Sequence, residues 1–312
     1  MLKKSLLVIG SAHMELAMRL SRFPEAGETR KSDGSFTFRP GGSAANGALC
    51  AAMLGHDALL CTRLGNDLNG RALKNFYADA GVDTRYVQTD RTRPTALYQT
   101  ILQDADRQSR SVLFPGALDA LNDEDLDAAF SACPDGVLLH FDRDEHFFKS
   151  ACMLAEKAAI PVFADAVGGK FEYPLSSPKL EAIVLSEAET YAYTDIYPDC
   201  LDNYVRACIR LGAKIRSKYF LLRLKGRGTF LTDGKYSEIL SLPETADDRA
   251  EAPDVFSAVL SAEMLDGKSI TSAVRTADAV ELFLARNHTR LNPYPTREEL
   301  CEFCRSAGIP AE

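Results

Sequence analysis

The chain has 312 residues, 46% of them apolar and 26% charged, with a net charge of −8. That profile fits a globular protein with one large α/β core or two modest ones, and its acidic balance excludes nucleic acid and anionic membrane faces as main partners, since both need clustered Lys and Arg. No apolar run approaches the roughly 18 residues of a membrane span, so the expected location is the cytoplasm.

The opening MLKKSLLVIG has a short apolar run and no cleavage site behind it, which predicts a buried strand over 6–10 rather than a leader. Residues 29–40, TRKSDGSFTFRP, alternate polar and apolar around Asp33-Gly34 and predict a hairpin. A strand over 57–65 and a helix over 69–81, stopped by Gly81, come next. Residues 95–116 predict two further strands around a polar turn. Then strands over 136–141, 160–165, 181–186 and 219–224 alternate with helices over 145–159 and 201–213. Such alternation means a mostly parallel sheet with helices on both faces. The segments 29–40 and 95–116 lack crossover helices and predict a small antiparallel sheet attached to that body. Residues 228–240 form another hairpin, turning at Asp233-Gly234. The eight cysteines are expected to be reduced. Cys301 and Cys304 form a CxxC without a second pair, which reads as two thiols on a helix face rather than a zinc site. The stretch HFDRDEH (140–146) holds two histidines and three acids, but its spacing fits a strand end before a helix better than a metal motif.

The most specific segment is RPGGSAANGALCAAMLGHDALLCTRLGNDLNGRALKNFYADAGVD, residues 39–83. Paired Gly41 and Gly42 let backbone approach a ligand closely, and Asn46 falls in the first turn of an Ala-rich helix. Taken alone, the same residues also suit a Gly-rich turn before a buried helix.

The whole run resembles the first signature of the ribokinase/PfkB-like carbohydrate kinase family: Gly-Gly, three residues, Asn46, then LG (54–55), LGND (64–67), Gly70 and AGVD (80–83). Further landmarks follow in order. VIGSAHMEL (8–16) is similar to the family's opening strand and substrate loop, RLKGRG (223–228) to its nucleotide loop, and EAPD (251–254) stands where it has Gly-Ala-Gly-Asp. The resemblance implies a three-layer α/β/α sandwich, one domain over 1–312, with a small antiparallel β lid from 11–40 and 95–113. It implies ATP-dependent phosphorylation of a sugar or nucleoside hydroxyl, with Mg²⁺, and a homodimer through the lid. Asp254 would be the base, with Glu251 and Ala252 in the anion hole. Glu15, Gly41, Gly42, Ser43, Asn46 and Asp142 would contact the substrate. Ser186, Glu189, Arg223, Lys225, Gly226 and Gly228 would meet the nucleotide. No Walker-type GxxxxGK[ST] occurs, which disfavours a P-loop kinase.

The departures matter for chemistry. Glu251 and Pro253 stand where the family has Gly; Pro253 brings no N–H, and Glu251 places a negative charge beside the phosphate position. As a helix start the same residues are favourable. Glu15 replaces an Asp, Ser186 an Asn, and Arg223 and Lys225 a common Thr and Gly. The late Gly-Ala that helps bind a monovalent cation has no counterpart in 286–295. Arg249 and Arg223 would be the residues to replace lost positive charge. Two other functions follow from these features. A nucleoside kinase would use Phe36, Phe38 and Tyr98 as an aromatic wall; a non-catalytic binding protein would keep the scaffold without the anion hole.

Overall fold

The computed structural model describes residues 3–32, 36–103, 108–141, 145–166, 179–241, 253–287 and 293–309. Its strands are β1 (Ser5–Ile9), β2 (His13–Leu20), β3 (Phe36–Gly41), β4 (Asp57–Gly65), β5 (Val87–Asp90), β6 (Leu97–Gln103) and β7 (Ser109–Phe114), then β8 (Gly136–His140), β9 (Val162–Asp165), β10 (Leu180–Ser186), β11 (Ser217–Leu224), β12 (Gly228–Thr232) and β13 (Ser237–Leu240). The helices are α1 (Ser43–Met53), α2 (Leu68–Asp79), α3 (Asp123–Phe130), α4 (Glu145–Ala158), α5 (Glu187–Thr194), α6 (Leu201–Gly212), α7 (Pro253–Leu265), α8 (Ile270–Asn287) and α9 (Arg297–Ala307).

Among the described residues the main sheet has nine strands in the order β13-β12-β11-β10-β9-β8-β1-β4-β5. From β11 to β5 every pairing is parallel, and the β12–β13 hairpin adds an antiparallel edge. Parallel strands are covered on both faces, so β1 reads as an unbroken buried run, Leu6 to Ile9. Alternate residues feed two cores. Leu6, Val8, Leu138, Val184 and Leu221 pack with α1, α7 and α8, whereas Leu7, Ile9, Leu139, Ile183 and Leu222 pack with α3, α4 and α6.

A second, four-stranded sheet runs β3-β2-β6-β7. Two corrections to the sequence reading arise here. The partner of β3 is β2 (His13–Leu20), not residues 29–32; β2 carries its own alternation of Met14, Leu16, Met18 and Leu20. The turn expected at Asp33-Gly34 lies outside the described residues. Nor is the sheet wholly antiparallel. The pairs β2–β3 and β6–β7 are, but β2 and β6 run parallel. The chain leaves β3 through α1, β4, α2 and β5 before reaching β6, and such a crossover allows the parallel pairing that a tight hairpin forbids.

Candidate active site

The candidate site lies past the carboxyl end of β1, in the part of an open α/β sheet where ligands are placed. One side is built by the turn into α1. Gly42 has φ +104, and a Cβ there would sit 2.5 Å from the Ser11 carbonyl oxygen, so only glycine fits. Gly42 offers no side chain to cap α1. Ser11 supplies the missing acceptor: the Ser43 N–H donates to Ser11 Oγ at 3.1 Å, and the two hydroxyls are 3.0 Å apart. Helix α1 then crosses α7 closely at Gly47, where a Cβ would lie 2.9 Å from Ala258 Cβ. That approach brings Asn46 to the first turn of α7, and its Nδ2 donates to Asp254 Oδ2 at 2.9 Å. Burial pushes the Asp254 carboxyl above the usual carboxylate range, and the Glu15 charge adds to this, while Asn46 and backbone N–H groups pull it back.

Above this contact stands one face of the small sheet. Glu15 is in register with Arg39 on β3 and Tyr98 on β6, so all three share that face. Arg39 Nε donates to Glu15 Oε2 at 3.0 Å. His13, in register with Gly41, starts β2; its ring lies 5.4 Å from Tyr98, and its Nδ1 is buried without a partner among the described residues. Burial lowers the His13 pKa, partly offset by Glu15. Gly41 leaves room for this ring: a Cβ there would come within 3.1 Å of His13 Nε2. Phe38 pairs with Leu16 and Phe36 with Met18, which puts both aromatics on the opposite face from Tyr98. Tyr294, between α8 and α9, completes this side. Burial and then the Asp254 charge push its phenol well above the ordinary value, while Arg39 pulls it down.

The expected nucleotide residues sit across the sheet and are engaged within the protein. Ser186 and Glu189 form a reciprocal capping box at the start of α5, with Ser186 N–H donating to Glu189 Oε2 at 2.8 Å. Arg223, in register with Ser186, is ion-paired with both Asp278 and Glu281 of α8 and donates to Thr229. Its guanidinium lies 3.9 Å from the ring centroid of Phe256, two residues beyond Asp254. The Lys225 N–H donates to Glu187 Oε1 at 3.1 Å, and Gly226 and Gly228 take positive φ in the turn to β12. Thus α7 links the two groups, touching Asn46 through Asp254 and Arg223 through Phe256.

Asp142, Arg249, Glu251 and Ala252 lie outside the described residues. His140 and His146 part company: the first is buried at the end of β8, and the second is exposed on α4 beside Asp123. His56, without a sequence-level reading, is buried against Glu263 and Asp266, at 3.3 and 3.0 Å. Sequence reasoning missed His13, Arg39 and Tyr294 on one side and Asp278 and Glu281 on the other. The one signal for the last pair was two acids three apart in an otherwise apolar helix pattern.

Comparison with known proteins gives one consistent result. A family model described as pfkB family carbohydrate kinase matches residues 3–296. A ribokinase of Arabidopsis thaliana is 27% identical over 96% of this chain and 81% of its own length. The ribokinase of Bacillus subtilis is 24% identical over 96% of this chain and 99% of its own. The structure of Arabidopsis thaliana ribokinase complexed with ribose and ATP superposes with a TM-score of 0.84 at 24% identity, covering 97% of this chain and 99% of that one. With the family model spanning residues 3–296, the chain belongs to the pfkB family of carbohydrate kinases.

Proposed function

We propose that the chain transfers the γ-phosphoryl group of ATP to a hydroxyl of a small sugar-like acceptor. The observation that carries this reading is the Asn46–Asp254 contact at the first turn of α7. Asp254 takes the acceptor's hydroxyl proton, and a carboxyl raised by burial is a stronger base than an ordinary Asp. Asn46 orients that carboxylate, while Glu15, with Gly41, Gly42, Ser43 and Asp142, holds the remaining hydroxyls. The N-terminus of α7, which begins at Pro253, meets the developing charge, with one donor fewer because Pro253 has no N–H; Glu251 and Ala252 are the residues the family motif assigns beside it. Losing one such donor costs about 100- to 1000-fold in rate. No group of three or more His, Cys, Asp or Glu converges among the described residues. Mg²⁺ in nucleotide chemistry needs only one or two carboxylates besides the phosphates, a requirement Glu189 fits. When bound, it neutralises phosphate charge. A relative solved with ribose and ATP supports a ribose-like acceptor. A nucleoside would need an aromatic wall, and of the three expected aromatics only Tyr98 shares the Glu15 face.

The protein works as one domain with its lid, in the cytoplasm, as a homodimer. The lid face away from Glu15 exposes Phe36, Phe38, Val112 and Phe114 at 66, 50, 70 and 49%. A contiguous apolar face of this kind suits a second copy.

A second reading has its own observation. Ser186, Glu189 and Arg223 all satisfy one another or α8 internally. A protein that binds sugar and turns over nothing would have this arrangement. Titration calorimetry with pentoses, with and without Mg·ATP, beside an assay of ADP release, separates the readings. Sugar binding with turnover supports the kinase; sugar binding with no turnover supports the binding protein.

A further inference from the structure

Phosphoryl transfer needs positive charge at the oxygens of the transferring group. Two arginines on the elements around α7 can be weighed for this role: Arg223, stacked on Phe256, and Arg39, paired with Glu15. Arg223 is 15% exposed and held by two carboxylates, Asp278 and Glu281, that are 6 and 8% exposed. Pulling it toward a phosphate would strand two buried charges, which is expensive. Arg39 differs on each count. Its side chain is 58% exposed, it has a single carboxylate partner, and among the described residues it makes one hydrogen bond, from Nε to Glu15. The pair is open to solvent on the arginine side, so its partner can be exchanged at little cost. Arg39 also belongs to this site by position: it shares the lid face of Glu15 and precedes by seven residues the Asn46 that touches Asp254.

We infer that Arg39 is a lid-borne catalytic cation, which leaves Glu15 when acceptor hydroxyls take its place and then holds the transferring phosphoryl group. The inference rests on the phosphoryl-transfer reading above. In the step, the acceptor hydroxyl gives its proton to Asp254 and its oxygen bonds to the γ-phosphorus of Mg·ATP. The bond from that phosphorus to the β,γ-bridging oxygen breaks, and ADP leaves with the electron pair. Arg39 makes and breaks no covalent bond. It offsets charge on the γ-oxygens, where Pro253 has removed a backbone donor. The longer Glu15, in place of the family's Asp, gives the exchange its geometry: its carboxylate reaches across the strand pair to Arg39.

The test is steady-state kinetics of Arg39→Ala and Arg39→Lys with Mg·ATP and the best acceptor from a sugar panel. Arg39→Ala should lower kcat about 100- to 1000-fold, with sugar KM changed only a few-fold. Millimolar guanidinium chloride should restore part of the Arg39→Ala rate and none of that of Asp254→Asn. Arg39→Lys should retain an intermediate rate. A raised sugar KM with unchanged kcat and no guanidinium rescue would overturn the inference, leaving Arg39 as a residue that only orients Glu15. As a readout besides turnover, Arg39→Ala should weaken binding of Mg·ADP–aluminium fluoride in the presence of sugar at least tenfold, and binding of sugar alone far less. Equal affinities would also overturn it. Wild-type protein that binds sugar but never turns over would instead refute the phosphoryl-transfer reading, and this inference with it.

Discussion

Replacing Arg223 by Ala removes the one guanidinium that sits between Asp278 and Glu281. Both carboxylates are under 10% exposed and lose this ion-pair partner. Breaking a buried ion pair from one side costs about 3–5 kcal/mol, and the lost stacking on Phe256 adds roughly 0.5–1 kcal/mol. An expected loss of about 4 kcal/mol is a large share of the roughly 5–15 kcal/mol that holds a domain together. In a chain of this length it lowers Tm by about 6 °C. The sign of the pH dependence follows from Asp278, whose carboxyl burial already raises despite Arg223. A carboxyl with a raised folded pKa contributes stability below its unfolded value and loses it as pH rises through the folded one. Without Arg223 that pKa rises further, so the deficit against wild type should be largest at pH 7.5 and shrink toward pH 5. Urea unfolding at the two pH values reads it directly. Adding Asp278→Asn to the variant should recover a good part of the loss, a coupling that a double-mutant cycle isolates. A deficit under about 1 kcal/mol at pH 7.5, or one independent of pH, would refute the buried-network account of Arg223.

Other outcomes follow from the same geometry. Gly42→Ala forces a Cβ to within 2.5 Å of the Ser11 carbonyl at φ +104; it should cost about 1–3 kcal/mol and weaken sugar binding at least tenfold, and a variant with wild-type Tm and affinity would contradict the turn's role. His140 is buried with both ring nitrogens unpartnered among the described residues, and burial lowers its pKa to about 3. Its folded pKa lies below its unfolded value near 6.5, so stability present above pH 6.5 is lost as pH falls toward 3. At pH 5 that loss is about 2 kcal/mol, and His140→Leu should abolish it in urea titrations; an unchanged acid sensitivity would show that the loss arises elsewhere. For the homodimer proposed through the exposed lid face, wild-type protein should sediment as a dimer and Phe38→Asp as a monomer with its fold intact by circular dichroism; a wild-type monomer, or a dimer unchanged by the substitution, would contradict that proposal.

The parts of the candidate site that sequence could bring together are those with local signals. Gly41-Gly42 and Asn46 are fixed by a turn and one helical turn of chain, and Asp254 by its place at a helix start. The misreadings are cases where long-range pairing decides. Residues 29–32, Thr-Arg-Lys-Ser, offer no apolar side chain to a sheet face, so β2, which follows β1 after three residues and carries four apolar residues on one face, takes the pairing with β3. Nothing near Arg223 announces its partners, which lie 55 and 58 residues away on α8. Ser186 and Glu189 show a different limit. Their S-x-x-E spacing is a capping box as well as a piece of the family's nucleotide motif, and the structure displays the cap. Tyr294 had no local signal, since the Asp254 charge that acts on it lies 40 residues earlier in the chain.

The central claim is phosphoryl transfer with Asp254 as base, and ADP release from Mg·ATP across pentoses, hexoses and nucleosides, beside Asp254→Asn, tests it most directly. The variant keeps an oxygen for Asn46 and sheds a buried charge, so it should be folded and at least as stable as wild type at pH 7. The account predicts turnover on a pentose-like sugar that falls by at least about 1000-fold in the variant. No turnover by wild-type protein that binds the sugar, or turnover undiminished in the variant, would contradict it.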